Sequence, residues 1–150
     1  MLKQILFIAL LIPSLAVAQG APLIGCIEQA PDGCACSLDS FWIKCGSTCG
    51  GLIFWNDYGT EPALMFLDGQ LRKLRKVREE SPGLPGHRAW FEGDGYSVLV
   101  RYRPAPSTCP EWKVKYDEGC EYIDVLATIR ITRQIDGAVQ VIDAKGTCGC

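Results

Sequence analysis

Cys34-Ala35-Cys36 near the start of the chain and Cys148-Gly149-Cys150 at its end are the residues whose types and spacing best suit chemistry. On a strand, residues i and i+2 face the same side, roughly 6.6 Å apart. Two such units on neighbouring strands put each cysteine opposite a partner, with Cβ atoms about 4.5–5.5 Å apart. Three chemistries fit that arrangement. Two cross-strand disulfides need only a small adjustment of it. Four thiolates would hold zinc at about 2.3 Å, or the softer Cu(I). A C-x-C pair closing on itself would exchange disulfides. Zinc ribbons use C-x2-C knuckles, and none occurs here. The expected reading is therefore structural bridges, with no metal and no cofactor.

The remaining cysteines define the compartment. Cys109 and Cys120 enclose a polar loop, and closing it is worth on the order of 2–3 kcal/mol in the chain-entropy model. Cys45 and Cys49 can close the Gly-Ser-Thr loop between them, which leaves Cys26 over. All nine cysteines follow Ala18. Before it, Lys3, the apolar run Ile5 to Leu15 and Ala16-Val17-Ala18 form the basic region, core and cleavage site of a secretory signal peptide. Residues 1–18 are thus expected to be removed. A small exported chain this dense in cysteine reads as a disulfide framework. Leu23-Ile24-Gly25-Cys26 also resembles a bacterial lipobox, although Gln19 to Pro22 interrupts the apolar run before it. Soluble export to the periplasm or medium is the expectation, with Cys26 free or drawn into a bridge with the Cys45–Cys49 loop. A membrane-anchored lipoprotein acylated on Cys26 is the alternative, and only then is a membrane a partner.

Other candidates are weaker. His87 is the single histidine. Catalysis would require a nucleophile and an orienting partner beside it. The sequence identifies neither, so no catalytic residue is assigned and His87 is read as a surface loop residue. The basic run Arg72 to Arg78 would suit an anionic glycan or lipid headgroup. Its plainer reading is an edge strand whose charges block edge-to-edge pairing. Trp90, Phe91 and Tyr96 would line a ligand face or, more plainly, pack in the core. Ser81, His87, Arg88 and Trp90 are the binding-loop candidates. Asp117, Glu118, Glu111 and Glu121 match no EF-hand spacing and read as a solvated acidic loop. Removing the leader, whose one charge is Lys3, takes the net charge from −2 to −3. That argues against a general nucleic-acid binder.

These residues need a sheet to position them. Ile123, Val125, Ala127, Ile129 and Ile131 alternate with Tyr122, Asp124, Leu126, Thr128, Arg130 and Thr132, the period of 2 of a half-buried strand. Asp68-Gly69, Asp94-Gly95 and Asp136-Gly137 are two-residue hairpin signals. The stretch after Gly69 is ambiguous, since Leu71, Leu74 and Val77 have helical spacing, but the turn chemistry favours a strand. Residues 19–33 read as an irregular N-terminal arm, Glu79 to Gly86 as a loop, and 34–150 as a single domain. The expected fold is all-β, a small disulfide-stapled antiparallel barrel or sandwich of about six to eight strands.

Cys34-Ala-Cys36, Ala63-Leu-Met-Phe-Leu-Asp-Gly69, Cys109-Pro-(x)9-Cys120-Glu, Ala127 to Thr132 and Lys145 to Cys150 together resemble a group of small, uncharacterised bacterial exported proteins. The resemblance covers most of residues 34–150. It implies a shared fold and shared bridges, and carries no activity. Leu67 to Leu71 and the Ser81 to Tyr96 region are similar in order to the periplasmic C-type lysozyme inhibitors, which are small β-barrels. That likeness implies a protruding inhibitory loop, here Glu79 to Arg88, though only Ser81 falls near the inhibitors' loop serine. The functional expectation is a non-enzymatic structural or binding domain of the bacterial envelope. An inhibitor of a cell-wall hydrolase is the first alternative, and a thiol–disulfide or metal-handling protein the second. The partner would be an envelope protein or such a hydrolase.

Overall fold

The computed structural model describes residues 20–43, 45, 51–57, 62–82, 86–106 and 122–149. They form nine strands: β1 (Ile24–Gly25), β2 (Ala35–Ser40), β3 (Leu52–Asp57), β4 (Ala63–Leu67), β5 (Gln70–Glu80), β6 (Arg88–Gly93), β7 (Tyr96–Pro104), β8 (Tyr122–Arg133) and β9 (Val139–Gly149). The sheet runs β4-β3-β2-β9-β8-β7-β6-β5, and β5 pairs back onto β4. This closes an eight-stranded antiparallel barrel. The extra strand β1 pairs with the end of β4, Ile24 opposite Leu67 and Gly25 opposite Phe66. The N-terminal arm is therefore not wholly irregular.

Two of the three Asp-Gly signals form the expected turn. Asp68 and Gly69 have φ of 48° and 80°, and Asp94 and Gly95 have 49° and 83°. Each pair joins strands that meet immediately beyond it, Leu67 opposite Gln70 and Gly93 opposite Tyr96. That is the type I′ hairpin. Asp136-Gly137 departs from the expectation. The amide of Arg133 donates to Ala138 O, so four residues, 134–137, make the loop, and only Gly137 has positive φ, at 70°. The cause is the Asp136 side chain, which accepts bonds from Arg133 and from the Ala138 amide.

The stretch after Gly69 is the strand β5. It carries a bulge at Val77, where the register with β6 shifts between Lys76 and Arg78. Leu74 is core, whereas Leu71 and Val77 remain half exposed, so the three-residue spacing reflects no helical face. Barrel closure overturns one expectation. β5 is bonded on one side to β4 and on the other to β6, so it is not an edge strand. Its charges have no edge to protect.

Inside the barrel, Val125, Ala127, Ile129 and Ile131 of β8 meet Val98 and Val100 of β7, Leu38, Met65, Leu74 and the Phe54–Phe91 edge-on pair, with centroids 5.3 Å apart. Phe91 and Tyr96 are thus core residues, whereas Trp90 is not. A second small cluster lies outside the barrel, where Ile27 of the arm covers Trp55, Leu64 and Ala35. Burying side chains of this size is worth about 1.5–3 kcal/mol each. Gly146 of β9 allows β2 to approach closely: a Cβ there would lie 1.8 Å from Ser37 O. Glycine at such a point marks a tight bend in a barrel strand.

Candidate functional site

The most distinctive surface follows from strand parity. On β6, Ala89 and Phe91 point inward, so Arg88 and Trp90 point outward. On β7, Val98, Val100 and Tyr102 are buried, which leaves Arg101 and Arg103 exposed on the outside. The bulge at Val77 resets β5 so that Arg78 pairs with Trp90 and Glu80 with Arg88. Four arginines, Arg78, Arg88, Arg101 and Arg103, thereby share one outer face. Gly86, Arg88, Arg101, Tyr102, Arg103 and Thr128 line an open groove of about 480 Å³ on it.

The electrostatics of this face are unbalanced. Arg88 and Arg101 are direct partners in the β6–β7 ladder. Like charges so opposed are unfavourable by roughly 0.2–1 kcal/mol. Glu80 is shared between two arginines, at 3.3 Å from Arg88 and in contact with Arg78. No carboxylate among the described residues pairs with Arg101 or Arg103. Trp90 lies beside this cluster, with the Arg78 guanidinium 4.8 Å and the Arg88 guanidinium 6.0 Å from its ring. The Thr128 hydroxyl at the groove wall donates to Asp143, at 2.7 Å.

The expected binding loop is only partly realised. Glu79, Glu80 and Arg88 are strand residues rather than loop residues. Ser81 is exposed at the end of β5 with φ of 52°, outside the groove. Residues 83–85 lie outside the described set. His87 lies in the connection just before β6 and is half-buried. Its carbonyl accepts from the Tyr102 amide, which extends the β6–β7 ladder by one residue and gives His87 the inward parity of Ala89. Its ring stacks on Tyr102 at 4.7 Å, and Nε2 lies 2.9 Å from Glu79 Oε1. Lys76 reaches the same carboxylate at 3.4 Å. That parity was legible in the sequence, two residues before Ala89 and four before Phe91.

All five cysteines among the described residues are disulfide-bonded, and of these Cys36 and Cys148 are buried. Cys36 lies opposite Cys148 in the β2–β9 register, and the two are bonded, with Cα atoms 4.0 Å apart. Both are buried. Cys34 is disulfide-bonded as well. Cys45 does not close on Cys49 but realises the other expectation, a bridge between Cys26 and this loop. It is bonded to Cys26, with Cα atoms 5.6 Å apart. The arm and the β2–β3 connection are adjacent because Ile27 N donates to Leu52 O and Ser40 N to Gly51 O. Cys49, Cys109, Cys120, Cys150, the acidic loop and residues 1–19 lie outside the described residues. Among those described, no group of three His, Cys, Asp or Glu is placed to hold a metal.

At the barrel end carrying the Asp-Gly turns, the inward run on β8 continues past Ile131 to Arg133. Its guanidinium reaches Asp136 at 2.7 Å, Asp68 at 2.9 Å and Gly20 O at 2.7 Å. Tyr96 Oη donates to Asp68 at 2.6 Å, and the Leu23 amide to the other Asp68 oxygen at 2.8 Å. Burial opposes ionisation of Asp68, but the bonds from Tyr96, Leu23 and Arg133 outweigh it and hold the carboxyl below its ordinary range. The Arg133 hydrogen bond, ahead of the Ala138 amide, does the same for Asp136. Burial, then the bond to Asp68, pushes the Tyr96 hydroxyl up, so it stays a donor. This network ties the arm to two turns and reads as structural. An arginine at a core-facing position was its sequence signal, and sequence reasoning missed it. Comparison of the chain with protein-family models, with curated proteins and with solved structures finds no match.

Proposed function

We propose that the protein is an exported, non-enzymatic binding domain of the bacterial envelope, and that its partner is anionic and docks on the outer face of β5 to β8. The observation that carries this reading is the arginine cluster. A chain of net charge −2 gathers Arg78, Arg88, Arg101 and Arg103 on one face, and among the described residues Glu80 is the carboxylate that pairs with them. Two of the four oppose one another directly, an arrangement that does not help the fold. Binding is the use that accounts for it. The buried, bonded Cys36 and Cys148 favour stapling over thiol exchange, which needs an accessible sulfur.

The test is binding of the purified mature protein to dextran sulfate and to polyglutamate across a salt series. Affinity that falls with salt and is lost in Arg101→Ala/Arg103→Ala is expected. Indifference of both polymers to the protein at low salt overturns the proposal. The same preparation, analysed by intact mass, checks export: a chain starting at Gln19 without acyl mass is expected. Acylated Cys26 would move the protein to a membrane anchor. Inhibition of a purified lysozyme by the wild type, undiminished in the arginine variant, would instead support the hydrolase-inhibitor alternative.

A further inference from the structure

We infer that the groove at Arg88, Arg101 and Arg103 recognises an acidic polysaccharide, a glycan chain carrying carboxylate or sulfate groups. This rests on the binding role proposed above and names the class of ligand. Other anionic partners would need features this face lacks. A peptide gains most of its affinity on a sheet by adding a strand to a free edge. β5, β6, β7 and β8 each have a neighbour on both sides, so this face has no edge to offer. An acidic peptide would have side-chain contacts alone. A lipid surface is bound by basic residues together with exposed apolar side chains that enter the acyl boundary. The three most exposed large apolar side chains among the described residues are Leu23, Trp42 and Ile135. They belong to the arm, to the β2–β3 connection and to the β8–β9 turn, away from the groove. The aromatic residue beside the groove, Trp90, is partly buried and set between Arg78 and Arg88.

What the face does provide is a short array of planar forks. Arg101 and Arg103 stand two residues apart on one strand, roughly 6.6 Å, with Arg88 across from Arg101. Each guanidinium can hold a carboxylate or sulfate through two parallel hydrogen bonds. The groove is open along its length rather than enclosed, and its wall carries Thr128 and Gly86. An extended chain with repeated oxyanions can lie in such a groove and engage more than one fork at once. Glu80 already neutralises part of the Arg78 and Arg88 charge, so among the described residues Arg101 and Arg103 are the ones left to bind it.

The experiment measures affinity of the full mature protein at fixed low salt for four probes: polygalacturonate, dextran sulfate, polyglutamate, and vesicles of phosphatidylcholine with phosphatidylglycerol. Binding to polygalacturonate or dextran sulfate well above that to polyglutamate and vesicles is expected. Arg101→Ala/Arg103→Ala should weaken it roughly tenfold or more, because two charge-assisted contacts go. Arg101→Lys/Arg103→Lys keeps the charge and loses the forks, and should recover only part of the affinity. Both pairs are solvent-facing, and an unchanged melting temperature verifies that they fold. Polyglutamate bound as tightly as the glycans overturns the glycan assignment and leaves the anionic-partner reading standing, as does preference for the vesicles. Full recovery by lysine overturns recognition by forks. Failure of every probe overturns both readings.

Discussion

Adding one methyl group at Gly146 tests whether the β2–β9 contact is as close as described. In Gly146→Ala the new Cβ would lie 1.8 Å from Ser37 O, 2.8 Å from Ser37 C and 2.9 Å from Leu38 Cα. All three are backbone atoms, so no side chain can rotate away. A carbon and a carbonyl oxygen normally stay about 3.3 Å or more apart. β2 would have to retreat by about 1.5 Å, which stretches a ladder bond of about 2.9 Å beyond its useful range. Two such bonds contribute about 1 kcal/mol each. Overpacking next to Leu38, which is fully buried, adds about 1–3 kcal/mol. The Cys36–Cys148 bridge sits two residues further along the same ladder and limits how the strands can part. The expected cost is about 3–5 kcal/mol. Gly69→Ala is the control. Gly69 has φ of 80° and nothing within 4 Å of a Cβ, so it bears only the left-handed backbone penalty of about 1–2 kcal/mol. Urea denaturation of both variants beside the wild type measures the difference. If Gly146→Ala is no more destabilised than Gly69→Ala, the approach of β2 to β9 has been misjudged.

Three further outcomes are expected. Ile129→Asp places an unpaired charge at a position with 0% exposure and should cost roughly 4 kcal/mol or more; an unchanged melting temperature would mean that the faces of β8 are inverted. Replacing Cys26 and Cys45 together with serine removes a bridge of sequence separation 19 and should cost about 3 kcal/mol in the chain-entropy model, while non-reducing peptide mapping of the wild type should recover a Cys26–Cys45 cross-linked peptide. Acid should destabilise the protein through Asp68 and Asp136. Their folded-state carboxyls are held below the ordinary range, so their contribution is present above pH about 4 and is lost as pH falls through the depressed values. Asp39, raised by burial against the opposing Lys145 charge, acts in the opposite sense. Urea midpoints between pH 2 and 7 should fall at the acid end and fall less in Asp68→Asn; equal slopes would remove this network from the account.

Local chemistry was the part of the fold that the sequence expressed. The alternation from Ile123 to Ile131 requires a strand whatever surrounds it, because i and i+2 face one way. Asp68-Gly69 and Asp94-Gly95 specify their turns through the positive φ that both positions need. At Asp136-Gly137 the hairpin forms but its loop is four residues long, because the Asp136 carboxylate is drawn to Arg133 and to the Ala138 amide, a partnership no turn statistic contains. Arg88 and Trp90 were visible as candidates. Arg101 and Arg103 were visible only as the polar half of an alternating strand.

The sequence by itself determined the strand periods, the three Asp-Gly hairpins, two of them with the expected turn, and the placing of Cys36 and Cys148 on strands. Tertiary structure decided what depends on which strands are neighbours. Closure of β5 onto β4 removed the edge that the basic run would have guarded. The arm's path beside the β2–β3 connection gave Cys26 to Cys45. Pairing of β6 with β7 set Arg88 against Arg101 and made a groove from residues thirteen positions apart in the chain. Backbone dihedrals and side-chain parity are encoded within a few residues. Register between distant strands is fixed by the packing of the whole interior, and the charge pattern of the outer face is inherited from it.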